Sequence, residues 1–394
     1  MNPKRSSNTI LFPALLYFFY YAASSCITPY LNIFFQDKGL SLIQIGILAA
    51  MPNGLTLVAA PLWAGIADYF GLHRRILPLV MALTIPFVVM IYVGGSFEVL
   101  LPGIILYGFC NSPIISLTDN SVLSYLGDKT LKYGNTRLWG SISWAAMGWL
   151  TGWLIDRFGP TPAYVGFVIF MLAAVWLAMK LPEPEMIQDR HYWHNLGGIL
   201  RDRRWIAFLS GSFLLGTAFN FLSNYIYLFM KSLGASASLL GMSVAALSIL
   251  EIPVFIYTGR LLKKTAPRNL ILFSYGVLII RSLLTARLVS PIWGVALNLF
   301  NGIFFPLYWT GAVNYAHRIA PRGMSASAQA LFAASFFGLG GITGAVAGGW
   351  LYAQYGAPFM FNVGAGLSAA GFFLFIILEK EPKNKTPQKV QGSQ

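Results

Sequence analysis

Twelve apolar stretches, each close to the length of a membrane-crossing helix, run through this chain of 394 residues. A helix needs about 20 residues to cross the hydrocarbon core of a bilayer. The stretches lie near 10–35, 41–67, 76–96, 99–125, 136–157, 162–180, 206–230, 236–258, 269–288, 290–315, 324–352 and 357–378. In lipid every backbone polar group must be bonded within the protein, so such a chain folds as packed helices. The sequence is 56% hydrophobic and only 10% charged, too few charges to solvate a globule of this size. The first run is long and no small-residue cleavage site closes it, so it reads as a span rather than a cleaved leader. Cys26 and Cys110 fall inside spans and imply no disulfide framework.

One phrase occurs twice. Gly152-Trp153-Leu154-Ile155-Asp156-Arg157-Phe158-Gly159 returns as Gly349-Trp350-Leu351-Tyr352-Ala353-Gln354-Tyr355-Gly356, at an offset of 197 residues, half of 394. Both copies end a glycine-rich apolar run, and another apolar run follows at once. The expectation is an all-α membrane protein in which a six-helix unit is duplicated head to tail, the two bundles being related by pseudo-two-fold symmetry. Residues 1–180 form the first bundle, 181–205 a linker, 206–378 the second bundle and 379–394 a disordered polar tail. The linker contains Pro182 and Pro184, then His191-Tyr192-Trp193-His194 and Arg201-Asp202-Arg203-Arg204. It reads as an interfacial helix with aromatic and basic anchors; the two histidines could also bind a metal, but no metal or cofactor site is expected. Gly340, Gly344 and Gly348 in the eleventh span, and Gly140, Gly148 and Gly152 in the fifth, read as stripes for close helix packing.

The net charge of +14 is unevenly placed. With the amino terminus inside, nearly all lysines and arginines outside the spans fall on the side of the termini and linker; Lys38, Arg157, Lys231 and Arg287 are the exceptions. This is the positive-inside bias. It puts both termini in the cytoplasm of a bacterial-type inner membrane and directs the basic excess at anionic lipid, not at nucleic acid.

Polar groups inside spans are expensive and usually face the interior of the bundle. Three acids, Asp68, Asp119 and Glu251, and two arginines, Arg137 and Arg281, are placed there. Asp68 ends the second span and is followed by Gly71, Arg74 and Arg75. An acid, a glycine turn and paired cations at a helix end can lock one bundle against the next; they can equally be a topogenic charge cluster. Asp119 and Arg137 lie in adjacent spans joined by a short loop, either as a binding pair or as a static ion pair. Trp144 is two helical turns beyond Arg137 on the same face, where its ring can stack on a solute or simply pack. Glu251 precedes Pro253 in the eighth span, a helix loosened by the proline, and Arg281 sits in mid-span nine. These two are expected near one another, coupled or statically paired. Further polar candidates for a central cavity are Asn53, Asn220, Asn224, Asn298 and Asn301.

Asp119, Arg137 eighteen residues later and Trp144 seven beyond that resemble the sugar-holding set of the lactose-permease-like group of the major facilitator superfamily, with Asp for a longer Glu. Arg137-Leu138-Trp139-Gly140-Ser141, Glu251-Ile252-Pro253, Ile319-Ala320-Pro321 and Ala328-Gln329-Ala330-Leu331 are similar to the phenylpropionate-permease-like branch. The resemblance covers about residues 10–380. The Asp68 segment resembles the superfamily's loop signature, with Ala64 for a usual glycine and Tyr69 for a usual cation. In the tenth span the resembled group uses a His and a Glu; aligned through Gly311 and Tyr315, Asn301 and Phe304 stand there.

The resemblance implies a monomeric secondary transporter that moves a small polar organic solute, a sugar or an aromatic acid, together with a proton by alternating access. Substrate would be held by Asp119, Arg137, Trp144 and Asn301, proton coupling carried by Glu251 and Arg281, and gating by Asp68, Arg74 and Arg75. A proton-coupled efflux antiporter for amphipathic compounds is the alternative. Enzyme chemistry is not expected, because an intramembrane general base is commonly His and no histidine lies within a span. Its partners are the solute, protons and membrane lipid.

Overall fold

The structure, a computed structural model, describes residues 11–70, 73–126, 133–181, 202–320 and 325–378. The first half contains α1 (Leu11–Ile27), α2 (Leu31–Asp37), α3 (Leu42–Phe70), α4 (His73–Val93), α5 (Phe97–Asn111), α6 (Ile114–Leu126), α7 (Tyr133–Phe158) and α8 (Thr161–Ala178). The second contains α9 (Arg203–Ser232), α10 (Ala237–Leu262), α11 (Pro267–Thr285), α12 (Pro291–Ile319), α13 (Ser325–Ala333), α14 (Gly340–Tyr355) and α15 (Ala357–Leu378). Between α13 and α14, Ala334–Leu339 forms wide π-type turns within one continuous span. No strand occurs among the described residues.

Eleven of the helical segments are long and apolar enough to cross a membrane. The fifth expected span, α7, has the length, 26 residues, but a more polar composition. It carries Thr136, Arg137, Ser141 and Ser143 among four tryptophans. The hydroxyls of Thr136 and Ser143 bond back to the carbonyls of Tyr133 and Gly140 at 2.7 and 2.9 Å, so the helix satisfies its own polar groups. It packs on α1 within its half and on α10 of the other.

Two spans are broken by proline, which lacks an N–H and clashes with the preceding turn. Pro29 separates α1 from α2, and Pro113 separates α5 from α6. The first break borders the cavity described below.

The repeated phrase has a structural meaning. A side chain at Gly152 would collide with the backbone oxygen of Ala237 at 2.3 Å, and one at Gly349 with that of Leu42 at 2.5 Å. Each copy therefore brings its helix against the opposite half: α7 against α10, and α14 against α3. The last glycine of each copy, Gly159 and Gly356, has φ of 71° and 83°, a left-handed turn that glycine adopts without a steric cost.

The two seams are not identical. On one, Asp156 accepts hydrogen bonds from the backbone N–H groups of Ala237 and Ser238 at 2.7 and 2.8 Å, and from the Ser238 hydroxyl. A carboxylate of the first half thus caps the amino terminus of α10 in the second. On the other seam Ala353 holds the equivalent place, and α3 is capped by its own residues. Gln44 Oε1 accepts from the Ser41 N–H at 3.0 Å while the Gln44 N–H donates to Ser41 Oγ at 3.3 Å, a reciprocal capping pair. Lys231 with Asp37, and Asn32 Nδ2 with the Asn224 carbonyl at 2.9 Å, also join the halves. All of these contacts lie away from the linker, so the molecule is closed at the face opposite it. Of the expected linker only Leu181 and residues 202–205 are described; His191, His194 and the tail 379–394 lie outside the described residues.

Candidate functional site

A cavity of about 360 Å³ lies between the halves. The first half contributes the broken turn at Thr28–Pro29, Asn32 and Phe35 from α2, Asn53 from α3 and Trp144 from α7. The second contributes Asn220, Asn224 and Tyr227 from α9, Val244 and Leu247 from α10, Arg281 from α11, and Asn298 and Asn301 from α12. The amide-bearing side chains face inward because a polar group exposed to acyl chains would lose its hydrogen bonds.

Arg281 is 2% exposed. Its terminal nitrogens donate to Asn301 Oδ1 and Asn298 Oδ1, both at 2.7 Å. Asn298 is itself anchored, its Nδ2 donating to the Ser243 hydroxyl at 2.5 Å, which ties α11, α12 and α10 together around the guanidinium.

A second set of charges lies between the cavity and the linker face. Arg137 donates to the Tyr21 hydroxyl and sits over the rings of Tyr21 and Tyr17, 4.3 and 5.4 Å from their centroids. Tyr17 donates to Asp119 Oδ1 at 2.5 Å, and its ring meets Tyr133 edge-on at 6.4 Å. Tyr21 in turn meets Trp144 edge-on at 6.3 Å. Asp119 and Arg137 are thus joined through two tyrosines and not by a direct ion pair. Glu251 is half-buried on α10, and the cation that acts on it electrostatically is Arg137, across the interface between the halves.

Of the residues expected to hold substrate, Trp144 and Asn301 line the cavity, while Asp119 and Arg137 stand one layer toward the linker. Of the two expected to couple protons, Arg281 lines the cavity and Glu251 belongs with Arg137. No ion pair joins Glu251 and Arg281 among the described residues; the amides of Asn298 and Asn301 on α12 accept from the guanidinium instead. Asp68 falls in the last turns of α3 and Arg74 near the start of α4; their side chains lie outside the described residues, and Arg75 is exposed.

Sequence reasoning passed over Tyr17, Tyr21, Tyr133, Asn32 and the Pro29 break. Tyr17 and Tyr21 have i, i+4 spacing and share a helix face, and Pro29 interrupts an apolar run. Those were the available signals, but tyrosines in a span also read as ordinary apolar content.

Among known proteins, the chain is 27% identical over 384 residues to the maltose permease of Geobacillus stearothermophilus, covering 96% of each chain. It is 24% identical over 380 residues to the probable 3-phenylpropionic acid transporter of Escherichia coli (strain K12), covering 92% of this chain and 96% of the relative. The crystal structure of the nucleoside transporter NupG superimposes with a TM-score of 0.83 at 17% identity, covering 95% of this chain and all of that one. These relatives are transporters, not enzymes. The model of the MFS_1-like family matches residues 12–363, so this chain belongs to that family and is an integral membrane protein of the major facilitator type.

Proposed function

We propose that this protein is a proton-coupled symporter that carries a small polar organic solute by alternating access, as a monomer in a bacterial inner membrane with the linker face and both termini in the cytoplasm. One observation carries the reading: an amide-lined cavity built from both halves, to which the first contributes Trp144 and the second Arg281. A site at the junction of two repeats becomes accessible to either face when the halves rock. The closed seam at Asp156 and Ala237 then corresponds to a shut outer gate.

Glu251 is the carboxylate proposed to carry the proton. It lies in a membrane helix beside Pro253, forms no ion pair among the described residues, and feels Arg137 across the seam. Movement of the halves would change that separation, and with it the preference of the carboxylate for its charged form. The efflux alternative fits less well, because four asparagines from the first half and α9 suit a polar solute better than an amphipathic one.

The test is uptake into proteoliposomes of labelled maltose, 3-phenylpropionate and glucuronate under an imposed pH gradient. At least one should accumulate against its gradient, and a protonophore should abolish the accumulation. Accumulation unaffected by the protonophore would remove proton coupling and leave a facilitator or a sodium-driven carrier.

A further inference from the structure

We infer that the central cavity selects a small hydroxylated organic carboxylate, with its carboxylate on Arg281 and its hydroxyls on the asparagine amides. This rests on the transporter reading and narrows its cargo.

Arg281 is the only charged side chain among the described residues that line the cavity. It forms no ion pair, and the neighbours it donates to are neutral amides. A guanidinium has five N–H donors. One on each terminal nitrogen is used, and Nε is buried with no partner. The unused donors include one on each terminal nitrogen, and a carboxylate approaching the guanidinium end-on accepts from both. A cation removed from water without a counter-charge is unfavourable. An anionic solute supplies that charge, and empty or neutral cargo does not.

The asparagines that α2, α3 and α9 add to the same lining ask for different chemistry. The side-chain Nδ2 groups of Asn53, Asn220 and Asn224 donate to the carbonyls of Ala49, Gly216 and Asn220, and that of Asn32 to the carbonyl of Asn224. Each Nδ2 keeps a second N–H, and among the described residues the amide oxygens of Asn32, Asn53 and Asn224 accept no hydrogen bond, while that of Asn220 accepts from Asn224 Nδ2 at 3.5 Å. They match hydroxyl donors on the solute. Trp144 adds a flat apolar surface to the lining, suited to the carbon face of a ring. The volume, about 360 Å³, is near the small end of ligand sites, roughly 300–1,000 Å³, and favours one ring over two.

The guanidinium and the asparagine amides together exclude simpler cargo. A neutral sugar satisfies the amides and leaves Arg281 without its counter-charge. An unsubstituted aromatic acid satisfies Arg281 and leaves the amide oxygens unpaired. A site built to hydrogen-bond a solute discriminates strongly against an analogue that lacks the group, because its own buried polar atoms are then stranded.

The experiment is calorimetric titration of the purified full-length protein with D-glucuronate, D-glucose and 3-phenylpropionate. Glucuronate should bind at least about tenfold more tightly than either of the others, one recognition element being worth roughly that factor. Arg281→Gln should bring glucuronate down to the affinity of glucose. Arg281→Lys, which keeps the charge and loses the fork, should fall between them and controls for a misfolded Gln variant. Glucose binding as tightly as glucuronate, no detectable glucuronate binding, or an affinity unchanged in well-folded Arg281→Gln overturns the inference. Proteoliposome uptake separates it from the reading beneath it. Transport of glucose with no glucuronate binding ends the anion site and keeps the transporter. Glucuronate binding dependent on Arg281, with no solute crossing, keeps the anion site and ends the transport reading.

Discussion

Arg137 and Arg281 occupy the interiors of opposite halves, yet their surroundings differ in kind. Arg137 is held by tyrosines: it donates to the Tyr21 hydroxyl, lies against the Tyr17 and Tyr21 rings, and reaches Asp119 only through Tyr17. Arg281 is held by amides, with Asn298 and Asn301 at 2.7 Å and one nitrogen unsatisfied. Aromatic faces attract a cation without neutralising it, and the neighbouring acids Asp119 and Glu251 supply nearby negative charge. The asparagine site has no such acid. Arg137 thus sits in a layer that contains its own charge balance, where the electrostatics can change as the halves move. Arg281 sits in a cavity whose balance is completed from outside. One region is suited to coupling and the other to recognition.

The largest expected effect tests the coupling layer. Glu251→Gln should abolish uphill uptake while counterflow, which needs no net proton movement, survives. Uphill accumulation by the variant in proteoliposomes would move the proton to another group and erase the division between the layers. Next comes Arg137→Lys, which keeps the charge and loses the planar fork. A lost charge-assisted hydrogen bond is worth about 1.5–3 kcal/mol, so transport should fall about 10- to 100-fold. If calorimetry shows an equal loss of substrate affinity, Arg137 belongs to the binding site and the contrast with Arg281 narrows.

Trp144 bridges the regions, since it lines the cavity and touches Tyr21. An aromatic contact contributes about 0.5–1.5 kcal/mol beyond its buried area. Trp144→Leu should therefore weaken solute binding by about tenfold, and Trp144→Phe by less. Unchanged affinity and unchanged tryptophan fluorescence in both variants would make the residue packing only. The smallest effect is expected at the seam. Asp156→Ala removes a cap worth about 1 kcal/mol, roughly a fivefold shift toward opening at the face away from the linker. Labelling of a cysteine introduced near Ser238 should quicken by about that factor; the equivalent change on the other seam, Ala353→Ser, should leave labelling unaltered.

Much of the scaffold could be read from the sequence, and the reasons are local. Hydropathy marks spans because lipid contact imposes one requirement on every residue of a helix. The exception is instructive: α7 is long but more polar than its neighbours, because the face it packs against α1 and α10 carries Arg137 and serines. The repeated phrase announced the duplication through its glycines, and their role in both seams is a consequence of missing side chains. The intramembrane residues Asp119, Arg137, Glu251 and Arg281 were recognisable by type alone. Their partners were not. Asn298 and Asn301 accept from the Arg281 guanidinium, and Tyr17 and Tyr21 intervene between Asp119 and Arg137.

The sequence by itself determined a twelve-span duplicated architecture and the short set of ionisable residues that the spans contain. These follow from periodicity and composition, which act residue by residue along the chain. Only the tertiary structure decided which cation faces the cavity, which acid lies beside which arginine, and that one seam is capped across the halves while the other caps itself. Those depend on the rotation of each helix about its axis and on backbone approach between spans far apart in sequence.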